Sequence, residues 1–139
     1  MRRMELRLRK YEFSNDFSMN EFRMNPSIKF NARELQLKEE DKKDNLRVFS
    51  MQCNVTIEST KENKTPIRLD IIVEGMFEFR DEENEAIDKF MKLGAPEIVY
   101  AQTRSLVTSL TAQAGGVSTI TLPIIDFERQ NQGNLNNAN

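Results

Sequence analysis

From Phe49 to Ile57 the apolar side chains occupy every second position: Phe49, Met51, Cys53, Val55 and Ile57 alternate with Ser50, Gln52, Asn54 and Thr56. A second run, Ile67, Leu69, Ile71, Val73, Phe77 and Phe79, keeps the same parity over a longer span, with Arg68, Asp70, Glu74 and Glu78 between. A period of two is the period of a pleated strand with one face on a core and one in water, which is how antiparallel sheets are built. Two more segments follow the rule with a slip. Met4, Leu6 and Leu8 are in phase while Tyr11 and Phe13 are one residue out, so a β-bulge is expected between Leu8 and Tyr11. Ile28, Phe30 and Ala32 are likewise followed by Leu35 and Leu37 out of step, and a second bulge is expected there. Polar stretches at 38–45 and 60–66 serve as turns between neighbouring strands.

After Arg80 the period changes. Ala86, Ile87, Phe90 and Met91 recur at helical spacing behind the acidic start Asp81-Glu82-Glu83, and Gly94 is expected to stop this short helix. Pro96 suits the first turn of a second helix, with Val99, Thr103, Leu106, Val107, Leu110 and Ala114 on one stripe and Gly115-Gly116 at its end. Between Ile98 and Ala114 the only charged residue is Arg104. A helix on a monomer's surface normally shows a charged back. The neutral back predicts a second layer of packing, hence a homo-oligomer, dimer or tetramer, with Val99, Arg104, Leu106, Val107 and Leu110 at its interface. The chain from Val117 to Phe127 reads as extended, and the Asn- and Gln-rich residues 130–139 as a disordered tail after a single domain over 1–129.

Composition narrows the chemistry. The 139 residues hold no histidine and one cysteine, Cys53, which removes Ser-His and Cys-His catalysis, intrachain disulfides and nearly every zinc or haem site. No metal, no cofactor and no catalytic residue is expected, and a reducing, cytoplasmic setting suits the lone cysteine. Twenty basic against 22 acidic residues argue against bulk nucleic-acid binding. No apolar run approaches the ~20 residues of a membrane span, and no signal peptide follows the first residues. Asp81–Glu85 lacks the glycine and distal glutamate of a calcium loop, and Gly115-Gly116 lacks a phosphate-loop pattern. Asp70 and Glu74 share an outward face and read as solvated charges rather than an acid–base pair. Phe17, Met19, Phe22 and Met24 have no clear period; they either cap the core or form a deformable apolar surface for varied partners.

The ordered series Glu74-Gly75-Met76-Phe77, Leu93-Gly94-Ala95-Pro96, the helix through Arg104, Val107-Thr108-Ser109, and Leu122-Pro123-Ile124-Ile125-Asp126-Phe127 resembles the SecB export chaperones over roughly residues 26–127. The resemblance implies an α+β fold: a four-stranded antiparallel sheet followed by a short and a longer helix, assembling as a dimer of dimers. It implies a non-enzymatic holdase that needs no ATP, binds unfolded preproteins and delivers them for export through the motor SecA. Clients would lie on Phe17, Met19, Phe22, Met24, Ile28, Phe30, Ile120, Leu122 and Ile124, and the translocase on Asp70 and Glu74. After Phe127 the sequence turns polar where the family carries a last helix. Two other roles fit the same residues: a SecB-like chaperone dedicated to one client such as an antitoxin, and an oligomeric adaptor of folded partners.

Overall fold

The computed structural model describes residues 1–15, 25–40, 45–61, 64–113 and 119–129. Four strands, β1 (Arg3–Asn15), β2 (Ser27–Glu34), β3 (Leu46–Lys61) and β4 (Lys64–Arg80), form one antiparallel sheet in the order β1-β4-β3-β2. The three consecutive strands β2, β3 and β4 are neighbours in turn, and β1 returns beside β4, which is a Greek-key arrangement. β3 and β4 are the longest strands and occupy the middle, which is where the two cleanest alternations fall. Their register runs from Leu46 opposite Arg80 to Lys61 opposite Lys64, so the hairpin is tighter than the polar stretch 60–66 suggests.

The bulge expected in β1 is present. Leu8 faces Val73 and Lys10 faces Ile72, leaving Arg9 as the extra residue and returning Tyr11 and Phe13 to the inward face. The bulge expected in β2 is not: its register with β3 is regular from Ser27 to Glu34, and the strand ends there. Leu35 adds one more bond, its N–H donating to the Val48 carbonyl at 2.8 Å.

Behind β4 the chain turns at Asp81, whose φ is 52°, a left-handed conformation that Asp tolerates. Opposite it Asn45 has φ 51°, and its amide donates to the Asp81 carboxylate at 2.9 Å. Helix α1 (Asn84–Lys89) follows, then a π-helical turn over Phe90–Gly94, then α2 (Ala95–Gln113). Gly94 therefore does not stop a helix, and the helical path runs through it. Pro96 lacks the N–H that an α-helix would send back four residues and its ring crowds that carbonyl; a widened turn just before it relieves both. Glycine is needed at 94 for space, since a Cβ there would lie 2.7 Å from the Phe90 ring. That ring packs edge-on against Phe77 and Phe79 at 5.2 and 5.6 Å. The Gly115-Gly116 terminator and the tail 130–139 lie outside the described residues.

The core fills the space between α1, α2 and the inward faces of β3 and β4: Cys53, Val55, Leu69, Ile71, Val73, Phe77, Val99 and Val107 are fully buried. Gly75 sets how closely α2 approaches, because a Cβ on it would meet Val99 Cγ2 at 2.7 Å. At the sheet's end Arg47 grips Glu34 through two bonds of 2.8 and 3.0 Å and Asn84 through a third of 2.6 Å, tying β2, β3 and α1 together. Its guanidinium also lies 5.1 Å from the Phe49 ring centroid.

Candidate functional site

The extended segment 119–126 runs back along α2 and ends in a helical turn at 127–129. Three aromatic rings fix its far end. Phe30 of β2, Tyr100 of α2 and Phe127 meet edge to face, with centroids 6.2, 5.4 and 5.8 Å apart. Beside this trio lies an open groove of about 530 Å³ lined by Leu93, Glu97, Ile124, Ile125, Asp126, Phe127 and Glu128. Four apolar side chains and three carboxylates share its lining. Ile124 stands on the edge 82% exposed, the most exposed large apolar side chain among the described residues. A surface of this kind offers contact area to an extended chain.

The residues expected to meet a client divide sharply. Ile124 is open and Ile28 and Phe30 are half-buried next to the groove, but Ile120 and Leu122 are 2% and 1% exposed and belong to the core. Alternation explains the correction: in an extended segment with one face inward, the residues at 120 and 122 point to the interior together. Phe17, Met19, Phe22 and Met24 lie outside the described residues. Tyr100, Leu93 and Ile125 are part of the site without having been singled out by the sequence. For Tyr100 the signal was available, the single aromatic ring in a helix mostly of small and aliphatic residues.

The proposed oligomer residues also divide. Val99 and Val107 are fully buried within one chain, against its own sheet, so they cannot meet a second copy. Leu106 and Leu110 remain partly open. Arg104 Nε donates to the Leu122 carbonyl at 3.1 Å. From Ala101 onward the free side of α2 is small and uncharged, with Ala101, Ser105, Ser109 and Ala112 exposed.

The outer face of the sheet holds the two carboxylates expected to be solvated. Glu74 is on that face yet only 2% exposed. Its Oε1 accepts from Arg9 Nε and Nη2 at 3.0 and 2.8 Å, and its Oε2 accepts from Ser50 Oγ and Gln52 Nε2 at 3.0 and 2.9 Å. Burial pushes its pKa up, and the bonds from Gln52, Arg9 and Ser50 together more than offset this, holding it below the usual carboxylate value. The β1 bulge makes this cluster, because the extra residue is Arg9. Asp70 pairs with Lys10 Nζ through Oδ2 at 2.7 Å, and its other oxygen is buried without a hydrogen-bond partner. Neither carboxylate is a free acidic contact. Cys53 is inert in the core, its thiol pushed up to about 11 by burial.

Comparison with known proteins places this architecture. The SecB-like chaperone of Mycobacterium tuberculosis, solved in complex with a ChAD peptide from the HigA1 antitoxin, has the same fold: TM-score 0.57 over 88% of each chain at 14% identity. The protein-export protein SecB of Albidiferax ferrireducens is 30% identical over 81 residues, 58% of this chain and 52% of that protein, so the match spans about half of the relative's length. The family described as preprotein translocase subunit SecB matches residues 8–137, which takes in the second half of β1 and extends beyond the 26–127 span of the motif resemblance at both ends. With nearly the whole chain matched and the sheet-then-helix order in place, this protein belongs to the SecB family.

Proposed function

We propose that the protein is an ATP-independent holdase that keeps non-native polypeptide from aggregating by seating apolar segments in the groove beside α2. The observation that carries this is the groove itself: Leu93, Ile125 and Phe127 with Ile124 held open at 82% exposure, beside the packed rings of Phe30, Tyr100 and Phe127. Apolar area left in water returns about 25 cal/mol per Å² when a client covers it, so several weak contacts along an extended chain give useful affinity without sequence specificity. The carboxylates of Glu97, Asp126 and Glu128 in the groove's lining favour clients with cationic flanks.

Assembly into a dimer or tetramer belongs to the same reading. On the inward face of β1, Met4 and Leu8 are 44% and 45% exposed, and from Ala101 onward the free side of α2 is small and uncharged. A second copy would cover both. One observation favours a chaperone dedicated to a single client, such as an antitoxin, over one that delivers preproteins to SecA. The carboxylates Asp70 and Glu74 that would meet a basic motor are already engaged by Lys10 and Arg9.

The test is dilution of a chemically denatured, aggregation-prone protein into buffer with and without this chain, followed by light scattering. Near-stoichiometric suppression, unchanged by ATP, is expected. Leu93→Ser with Ile124→Ser removes exposed or half-exposed groove area and should weaken suppression severalfold while leaving circular dichroism intact. If the wild type never suppresses aggregation, the adaptor of folded partners takes over.

A further inference from the structure

The segment 119–125 sends two side chains into the core, yet it pairs with no strand among the described residues. Three side chains of α2 hold its backbone instead: the Ile120 N–H donates to Thr111 Oγ1 at 3.0 Å, Arg104 Nε donates to the Leu122 carbonyl at 3.1 Å, and the Tyr100 hydroxyl donates to the Pro123 carbonyl at 2.5 Å. Residues 100, 104 and 111 share one helix face, so the segment runs antiparallel along it. The Thr111 hydroxyl in turn donates to the Val107 carbonyl at 2.7 Å, which orients its lone pairs toward Ile120.

Each of these three bonds addresses a main-chain atom. They would serve any extended segment laid in the same place. Only Ile120 and Leu122 contribute buried side chains, and they do so at alternate positions, with Thr121 and Pro123 facing water. The seat on α2 is therefore a receptor for an extended, apolar–any–apolar stretch of backbone, and the chain's own segment occupies it.

We propose that residues 119–125 form a replaceable strap, and that an extended client segment with apolar side chains at alternate positions takes its seat on α2 when the strap lifts. This rests on the holdase reading. The exchange is balanced, since the client's side chains and carbonyls replace those of the strap rather than adding a new cavity. The strap then acts as an internal competitor. The apparent affinity for client equals the intrinsic affinity multiplied by the fraction of molecules with the strap lifted. Weakening the strap raises client affinity; weakening a fixed wall of the groove would lower it. The two arrangements differ in the sign of the effect.

Ile120→Ala and Leu122→Ala trim the strap's own buried side chains and leave the seat on α2 intact. Tyr100 and Thr111 are kept, because the strap and an incoming client would share their bonds. The probe is a fluorescein-labelled, reduced and carboxymethylated lactalbumin, which stays unfolded, and the readout is anisotropy. Loss of a buried strap side chain should tighten apparent binding about tenfold or more in each variant. Binding by the wild type with equal or weaker binding by both alanine variants overturns the strap and leaves the holdase standing. No binding by the wild type overturns the holdase reading and the strap with it. Amide exchange on the wild type decides the matter if the variants fail to fold. Saturating probe should speed exchange at the Ile120 amide when the strap is displaced; slower or unchanged exchange there shows a fixed wall.

Discussion

β1 and β4 lie side by side with the same alternation, and their inward residues have opposite fates. Val73 is fully buried while Leu8, directly across from it, is 45% exposed; Phe77 is fully buried while its partner Met4 is 44% exposed. Both strands place their apolar side chains on the helix side of the sheet. The difference is where the helix crosses, since α2 packs over β3 and β4. Period decides which way a side chain points, and the footprint of the covering element decides whether it is buried. A strand at the rim with inward apolar residues left open is a strand waiting for cover.

The largest effect to be expected is at the buried end of this comparison. Phe77→Ala should cost about 3–5 kcal/mol in urea unfolding, the range for deleting a buried ring, whereas Leu8→Ala should cost less than about 1 kcal/mol. Equal costs at the two positions would mean that β1 is covered in solution. Leu8→Lys sharpens the point. Light scattering after gel filtration should show a smaller species than the wild type, with the strand signal in circular dichroism unchanged. A wild type that stays monomeric at micromolar concentration would remove the argument for a second copy.

Next in size is the contact that lets α2 cover β4 at all. Gly75→Ala puts a methyl group where Val99 Cγ2 and the Phe77 ring already stand, at 2.7 and 2.9 Å. Overpacking of this kind costs about 1–3 kcal/mol. A shift of the helix outward should follow, seen as faster amide exchange in α2 near Val99. A neutral substitution there would show that the helix rides on its other contacts.

Much of this fold is legible in the sequence, and the failures have particular causes. The parity slip between Leu8 and Tyr11 gave away the bulge because one extra residue is the only way to keep two apolar rows on one face. The similar slip after Ala32 meant something else, the end of the strand. Gly94 reads as a stop because glycine commonly ends helices, yet here it serves the Phe90 ring that lies against it. Of the residues expected to meet a client in the segment after α2, Ile124 is open but Ile120 and Leu122 point inward, and no periodicity of a short extended stretch says which of its faces the body of the protein will take. Glu74 fails for a similar reason. Period puts it outward, and outward normally means solvated; that Arg9 would be thrown across it depends on a bulge in a strand 65 residues away in sequence.

The smallest of the expected effects tests that last point, and it is a matter of pH. Glu74 is ionised in the folded chain with its pKa held below the usual carboxylate value, burial working against the bonds from Gln52, Arg9 and Ser50 and losing to them. In the unfolded chain the same carboxyl titrates near its ordinary value. A group with a depressed folded pKa contributes stability above its unfolded value and loses that contribution as the pH falls through the folded one. Glu74→Gln keeps the size and removes the charge, turning an acceptor toward Arg9 into a partly donating amide. It should cost about 1–2 kcal/mol at neutral pH, the worth of charge-assisted bonds lost from one site. Measured by urea unfolding from pH 7 down to 3, the gap between wild type and variant should be constant at first and then narrow below the ordinary carboxylate range. A gap that stays constant to pH 3 would mean that protonation of Glu74 does not govern the acid limb. A gap that widens in acid would put the sign of its shift the other way, with burial outweighing the bonds from Gln52, Arg9 and Ser50.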